Sequence, residues 1–144
     1  MAKKDSNFQV KFMSFVFRGK EIFKPLNTGF IDEKVGCIRE YVANVYFYTK
    51  DGHTIMIDAG YNYDRLAEKM RWLHINPKDI KDILITHQDT DHVGAIETDS
   101  DRLFSEATIY IGKIENEYLE GRKCRKVFWG LHKLPQVNID NKKV

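Results

Sequence analysis

Ile83-Leu84-Ile85-Thr86-His87-Gln88-Asp89-Thr90-Asp91-His92 is the stretch that decides the fold: an apolar strand running straight into two imidazoles and two carboxylates. Imidazole and carboxylate are the side chains that bind divalent zinc, iron or manganese, so a compact metal loop on a rigid strand is the first expectation. In an extended segment alternate side chains share a side. His87, Asp89 and Asp91 are therefore expected along one side of the strand exit, with His92 leaving at a different angle. Such a loop suits two ions that share an activated water, His87 and Asp89 turned to one, Asp91 and His92 to the other. The bland alternative is that the carboxylates merely cap a helix opening at Val93. It leaves the two histidines unexplained.

Upstream, Val42 to Tyr48 and Thr54 to Ile57 read as two strands joined by Lys50-Asp51-Gly52, a hairpin signal because glycine tolerates the positive φ of a tight turn. The second strand ends at Asp58-Ala59-Gly60. From there Tyr63, Leu66, Met70 and Leu73 recur at helical steps, with Asn62 as N-cap, and Pro77 requires the helix to stop by Ile75. Strand, helix, strand and ligand loop make one crossover unit. The unbroken apolar run Ile83-Leu84-Ile85 predicts burial on both faces. A long strand is expected over Phe8 to Arg18, and turns with a short strand over Glu21 to Glu40. Downstream, Ala95 to Glu106 reads as partly helical, Thr108 to Ile111 as a strand and Lys113 to Glu120 as a short helix closed by Gly121. Val137 to Asp140 is expected to open a last strand. There is no glycine-rich phosphate loop and no Gly-x-Ser-x-Gly elbow, so serine hydrolase chemistry lacks support.

Composition narrows the class. With 144 residues, 42% hydrophobic and 31% charged, the chain fits one soluble globular domain. A net charge of +2 excludes a molecule held to nucleic acid by its overall charge. The basic run Arg122-Lys123-Cys124-Arg125-Lys126 reads as a solvated loop, and Lys142-Lys143 as a charged tail. Cys37 and Cys124 form no metal pattern and fit a reduced protein. No signal-type or membrane-spanning segment is present, so the expected location is the cytoplasm, with neither nucleic acid nor membrane as partner.

The two motifs together resemble those of the metallo-β-lactamase fold superfamily. There a strand ending in Asp-x-Gly, here Ile55-Met56-Ile57-Asp58-Ala59-Gly60, precedes a strand delivering His-x-His-x-Asp-His, a small residue and Gly, here His87 to Gly94. The resemblance implies an α/β fold, a four-layer αββα sandwich. Residues 1–144 read as a single, incomplete domain forming its first half, a mixed β-sheet with helices on one face. The other face would expose apolar surface and need a second chain, another copy or a swapped element to cover it.

Carried over residue by residue, the resemblance implies that His87 and Asp89 ligate a first metal and Asp91 and His92 a second. Asp91 would be the catalytic residue, orienting the bridging hydroxide and handling protons. Asp58 and Thr86 would act from behind the ligands, by hydrogen bonds that orient the loop. Zinc is the usual ion. Asp89 stands where the common pattern has His, and this harder ligand admits iron or manganese. The family's later Gly-His motif, strand-borne Asp and final His are not found; His132, the only histidine after His92, lacks their context. The implied activity is attack of metal-bound hydroxide on an ester, thioester, lactone, amide or phosphoester of a small molecule. Its alternatives are a non-catalytic or partner-dependent fragment of the fold and a di-iron redox site.

Overall fold

The computed structural model describes residues 24–97, 104, 106–127, 132–133, 139 and 142–144. The strand expected over Phe8 to Arg18 lies outside them. So does most of Val137 to Asp140, of which only Ile139 is described, buried and in no strand.

The chain first runs as an antiparallel meander, β1 (Gly29–Phe30), β2 (Val35–Arg39), β3 (Asn44–Lys50) and β4 (His53–Ile57). Asp51 and Gly52 both take positive φ, 51° and 76°, the turn that matches the twist of a two-residue hairpin. Lys50 then faces His53, and the register runs back to Tyr46 against Ile57.

After β4 the chain crosses over through α1 (Tyr63–Trp72) to β5 (Ile80–Ile85), parallel to β4. Asn62 caps α1 by accepting the Arg65 N–H at 3.1 Å, while Tyr63, Leu66 and Met70 face the core. Pro77 opens a short 3-10 turn, Pro77–Asp79, as its fixed φ and missing N–H favour. Next come α2 (Thr90–Glu97), β6 (Thr108–Ile111), α3 (Lys113–Leu119), β7 (Lys126–Val127), β8 (His132–Lys133) and β9 (Lys142–Lys143). Among the described residues the main sheet has the order β1-β2-β3-β4-β5-β6-β9, antiparallel to β4 and parallel beyond it; β7 and β8 pair separately. This is a mixed sheet in an α/β fold.

Alternate residues divide the sheet into two faces. Val45, Phe47, Met56, Ile83, Ile85, Ile109 and Ile111 join Leu66 and Met70 of α1, Val93 and Ala95 of α2 and Leu119 of α3 in one buried cluster. Each such aliphatic side chain contributes about 1.5–3 kcal/mol when fully withdrawn from water. The opposite alternates, Tyr46, Ile57, Leu84 and Tyr110, form a row in register across four strands. Leu84 is 41% exposed and Tyr110 37%. This corrects the expectation that β5 is buried on both faces: among the described residues its apolar run is covered by helices on one side, and Leu84 on the other is exposed. Leu84, Ile85, Tyr110 and Ile111 line a shallow concavity of about 450 Å³ on the way to the chain's last residues, Lys143 and Val144.

A second correction concerns α2, expected from Ala95. It starts at Thr90, inside the motif, because the Asp89 carbonyl accepts the N–H groups of His92 at 2.8 Å and Val93 at 3.2 Å. The turn after β4 is bonded to this helix through main-chain atoms. Ala59 N–H donates to the His92 carbonyl at 2.6 Å, and Ala95 N–H to the Gly60 carbonyl at 3.2 Å. The approach is close enough that a Cβ on Gly94 would overlap the Tyr61 carbonyl oxygen. Gly94→Ala is therefore expected to destabilise the protein by about 1–3 kcal/mol, an overpacking cost against backbone that cannot rotate away. Urea unfolding checks this: the midpoint should fall with the slope unchanged, and an unaltered midpoint contradicts the packing described.

Candidate metal centre

The site is organised by Asp58, the residue that follows β4. Its φ of 58° lies in the left-handed region, which Asp tolerates better than most side chains. The carboxylate is buried and receives groups from two other segments. Oδ1 accepts the Thr86 N–H at 2.8 Å, and the Thr86 hydroxyl lies 2.9 and 2.8 Å from Oδ1 and Oδ2. Oδ2 also accepts from His92 Nδ1 at 2.7 Å.

These bonds fix where the imidazole protons sit. An ionised carboxylate only accepts, so the Thr86 hydroxyl donates to Asp58 and must accept from His87 Nδ1, 3.0 Å away. His92 likewise gives its Nδ1 proton to Asp58. Both rings thus turn their Nε2 atoms the other way, and each meets a carboxylate. His87 Nε2 lies 3.6 Å from Asp89 Oδ2, and His92 Nε2 lies 3.5 Å from Asp91 Oδ2. The two ring centroids are 3.8 Å apart.

The structure therefore brings His87 to Asp89 and His92 to Asp91, with Asp58 and Thr86 behind them. The geometry differs from the extended loop expected: Asp91 and His92 stand on the first turn of α2, so the helix start, not strand alternation, separates the two pairs. The donors are of the types that bind a divalent ion, and each imidazole is anchored through Nδ1 with Nε2 turned toward a carboxylate. They form one wall only. Among the described residues no group of three or more His, Cys, Asp or Glu side chains could hold an ion. His53 pairs instead with Asp82, 2.8 Å away at the far end of β5.

Electrostatics follow the same contacts. Burial alone lowers the His92 imidazolium, but hydrogen bonds and charge from Asp58 and Asp91 outweigh it and raise its pKa from 6.5 to about 9. Burial opposes ionisation of Asp91 too, yet His92 and His87 hold its carboxyl below the usual range. Asp89 shifts the other way: burial raises it despite Arg125 and His87.

Three residues at this loop were not among those read as functional. Gln88, buried, donates its side-chain amide to Asp89 Oδ1 at 3.3 Å and its N–H to Glu115 Oε2 at 3.2 Å. Arg125 pairs with Glu115 at 2.8 Å and approaches Asp89 at 3.5 Å. The basic run is a solvated loop as expected except at Arg125: Arg122 and Lys123 are exposed and pair at the surface with Glu120 and Glu117. Glutamates on one helix followed directly by arginines and lysines were the available signal.

A mixed sheet with helices on one face and a histidine–carboxylate loop at the exit of a parallel strand places the chain in a class of α/β domains. The family model for the metallo-beta-lactamase superfamily matches residues 38–132, and the chain belongs to that superfamily. The superfamily is generally dependent on divalent metal, usually zinc. Solved structures share the fold. A Cronobacter sakazakii metallo-beta-lactamase with a HARLDQ motif is 20% identical, with a TM-score of 0.62 over 87% of this chain and 49% of its own. A subclass B3 metallo-beta-lactamase of Bradyrhizobium japonicum is 20% identical, with a TM-score of 0.60 over 88% of this chain and 48% of its own. Another B3 enzyme, described as having an active-site glutamic acid, is 23% identical, with a TM-score of 0.60 over 90% and 49%. This chain spans about half the length of these relatives. No curated protein sequence matches it.

The raised His92 pKa has a definite sign. Its stabilising effect is fully present below the ordinary value of 6.5 and is lost as pH rises through about 9. In chelator-treated protein, NMR titration of His92 is expected to show a midpoint near 9, with thermal stability declining between these values. Asp58→Asn should bring the midpoint down. A midpoint near 6.5 in the unaltered protein contradicts the hydrogen bonding described.

Proposed function

We propose that this chain carries one wall of a metal-dependent hydrolase centre. The observation that supports it most is the orientation of the two imidazoles, each tied back through Nδ1 to Thr86 or Asp58 with Nε2 opposite a carboxylate oxygen. In this reading His87 and Asp89 hold one ion and Asp91 and His92 a second. Zinc is the default, and the carboxylate at position 89 admits iron or manganese. The B3 enzyme described as having an active-site glutamic acid supports a carboxylate in such a centre.

A bound divalent metal supplies an acidified water and polarises the substrate's oxygen. The chain's own residues do the rest. Asp58 and Thr86 keep both rings from rotating. Asp91, held ionised beside His92, is the proton acceptor during hydrolysis and the catalytic residue. The substrate is a small molecule with an ester, thioester, lactone, amide or phosphoester bond.

The remaining donors come from outside the described wall, from a further stretch of chain, a second chain or another copy. The exposed row containing Leu84 and Tyr110 is the surface such a completing layer covers. The absence of three convergent donors among the described residues favours one alternative, a fragment that is inactive without its partner. Among the described residues no helix is long and apolar enough to cross a membrane. The free thiols of Cys37 and Cys124 support a reducing compartment, the cytoplasm.

Metal quantification on freshly purified, unchelated protein, joined to assays over those bond classes, tests the reading. Asp91→Ala is expected to lose metal and to lower any hydrolysis at least ~10²-fold, the scale of a lost general base; full activity in that variant removes Asp91 from its role. Asp89→His should shift preference toward zinc in ion competition, and unchanged selectivity would contradict the account of position 89.

A further inference from the structure

Position 89 is where this chain departs from the common motif, and a distant segment encloses that carboxylate. Arg125, beyond α3, places Nη2 2.8 Å from both Glu115 oxygens and Nε 3.5 Å from Asp89 Oδ1. Its guanidinium lies over the Tyr118 ring, 5.1 Å from the centroid, within cation–π reach. Gln88 closes the circuit, its N–H on Glu115 Oε2 and its side-chain amide on Asp89 Oδ1. Oδ1 thus takes one hydrogen bond, from Gln88, and an ion-pair contact with Arg125, and Oδ2 is the oxygen left facing His87 Nε2 at 3.6 Å.

We propose that Glu115 and Arg125 form a clamp specific for a carboxylate at position 89, engaging Asp89 Oδ1 so that Oδ2 would be the oxygen free to hold a metal. This rests on the metal-site reading above. The specificity follows from donor chemistry. A guanidinium has five N–H donors and no acceptor. It satisfies the outer oxygen of a carboxylate. Against an imidazole bound to metal through one nitrogen, it meets the outer N–H as donor against donor. Removing Arg125 leaves the Glu115 carboxylate, the kind of acceptor that a metal-bound imidazole uses for that N–H. The carboxylate at 89 and the arginine at 125 thus belong together, and changing one alone is costly.

The test is a double-mutant cycle on the full chain: the unaltered protein, Arg125→Met, Asp89→His and the double variant. Each is stripped of metal, checked for folding by thermal unfolding and titrated with Zn²⁺ or Mn²⁺ in chelator competition. Arg125→Met is expected to weaken binding about 10- to 100-fold in the unaltered chain, yet by less than about threefold in the Asp89→His background. Arg125→Lys, a point charge without the planar fork, should fall between. It also serves as the test variant if Arg125→Met does not fold. Equal losses in both backgrounds overturn the clamp and leave Arg125 as a tie between α3 and the loop. Failure of the unaltered protein to bind either ion overturns the reading of His87, Asp89, Asp91 and His92 as residues that hold metal without further donors, and the clamp's role in binding with it, a distinguishable result.

Discussion

One carboxylate holds the site together. Asp58 follows β4 in a left-handed conformation and bonds the main chain and hydroxyl of Thr86 at the end of β5 and the ring of His92 at the start of α2. Two stretches about thirty residues apart, the turn at Asp58 and the segment from Thr86 to His92, meet on two oxygen atoms. Because an ionised carboxylate can only accept, all the proton positions around it are determined, and with them the orientation of both imidazoles. The buried carboxylate is met by three donors, the Thr86 N–H and hydroxyl and the His92 ring, the condition under which such a group is retained in a low-dielectric interior.

Much of this was legible in the amino-acid sequence, for physical reasons that differ by element. The Asp51-Gly52 turn admits few backbone geometries, and the Leu66 and Met70 periodicity admits one face, so hairpin and helix follow from local chemistry. The four donors could be named because their types crowd into six residues after an apolar strand. Their three-dimensional separation could not. It depends on where α2 begins, a choice made by main-chain bonds from Asp89 that side-chain alternation does not reveal. Leu84 misled for a related reason: an apolar side chain on an uncovered face looks in sequence like one in a core. Arg125 was hidden because its partners, Glu115 and Asp89, are brought together by tertiary structure alone.

The neighbourhood of the loop is also where the chain carries its tightest steric demands. Gly60 has a φ of 70°, and a Cβ there would meet Glu40 Cγ at 2.7 Å. Glu40 itself is buried and paired with Lys69 at 3.4 Å and Arg65 at 3.5 Å, tying β2's end to α1 beneath the same turn. Such a buried ion network is weak evidence for net stability, but breaking it would leave an uncompensated charge. Strained or sterically tight positions at Asp58, Gly60 and Gly94 thus cluster beside the donors, as they do where a fold is held to one geometry for function.

The main-chain stitching between the Asp58–Tyr61 turn and α2 has a consequence for how such a loop changes over evolutionary time. Its path is set by amides and carbonyls, through Ala59 to His92 and Ala95 to Gly60, and by the absence of a side chain at Gly94. None of these depends on which side chain occupies position 89. The donors are carried on a rail whose course they do not determine. The side chain at position 89 can therefore be exchanged without redirecting the main chain of the loop, so that what must change with it is confined to the side chains it touches.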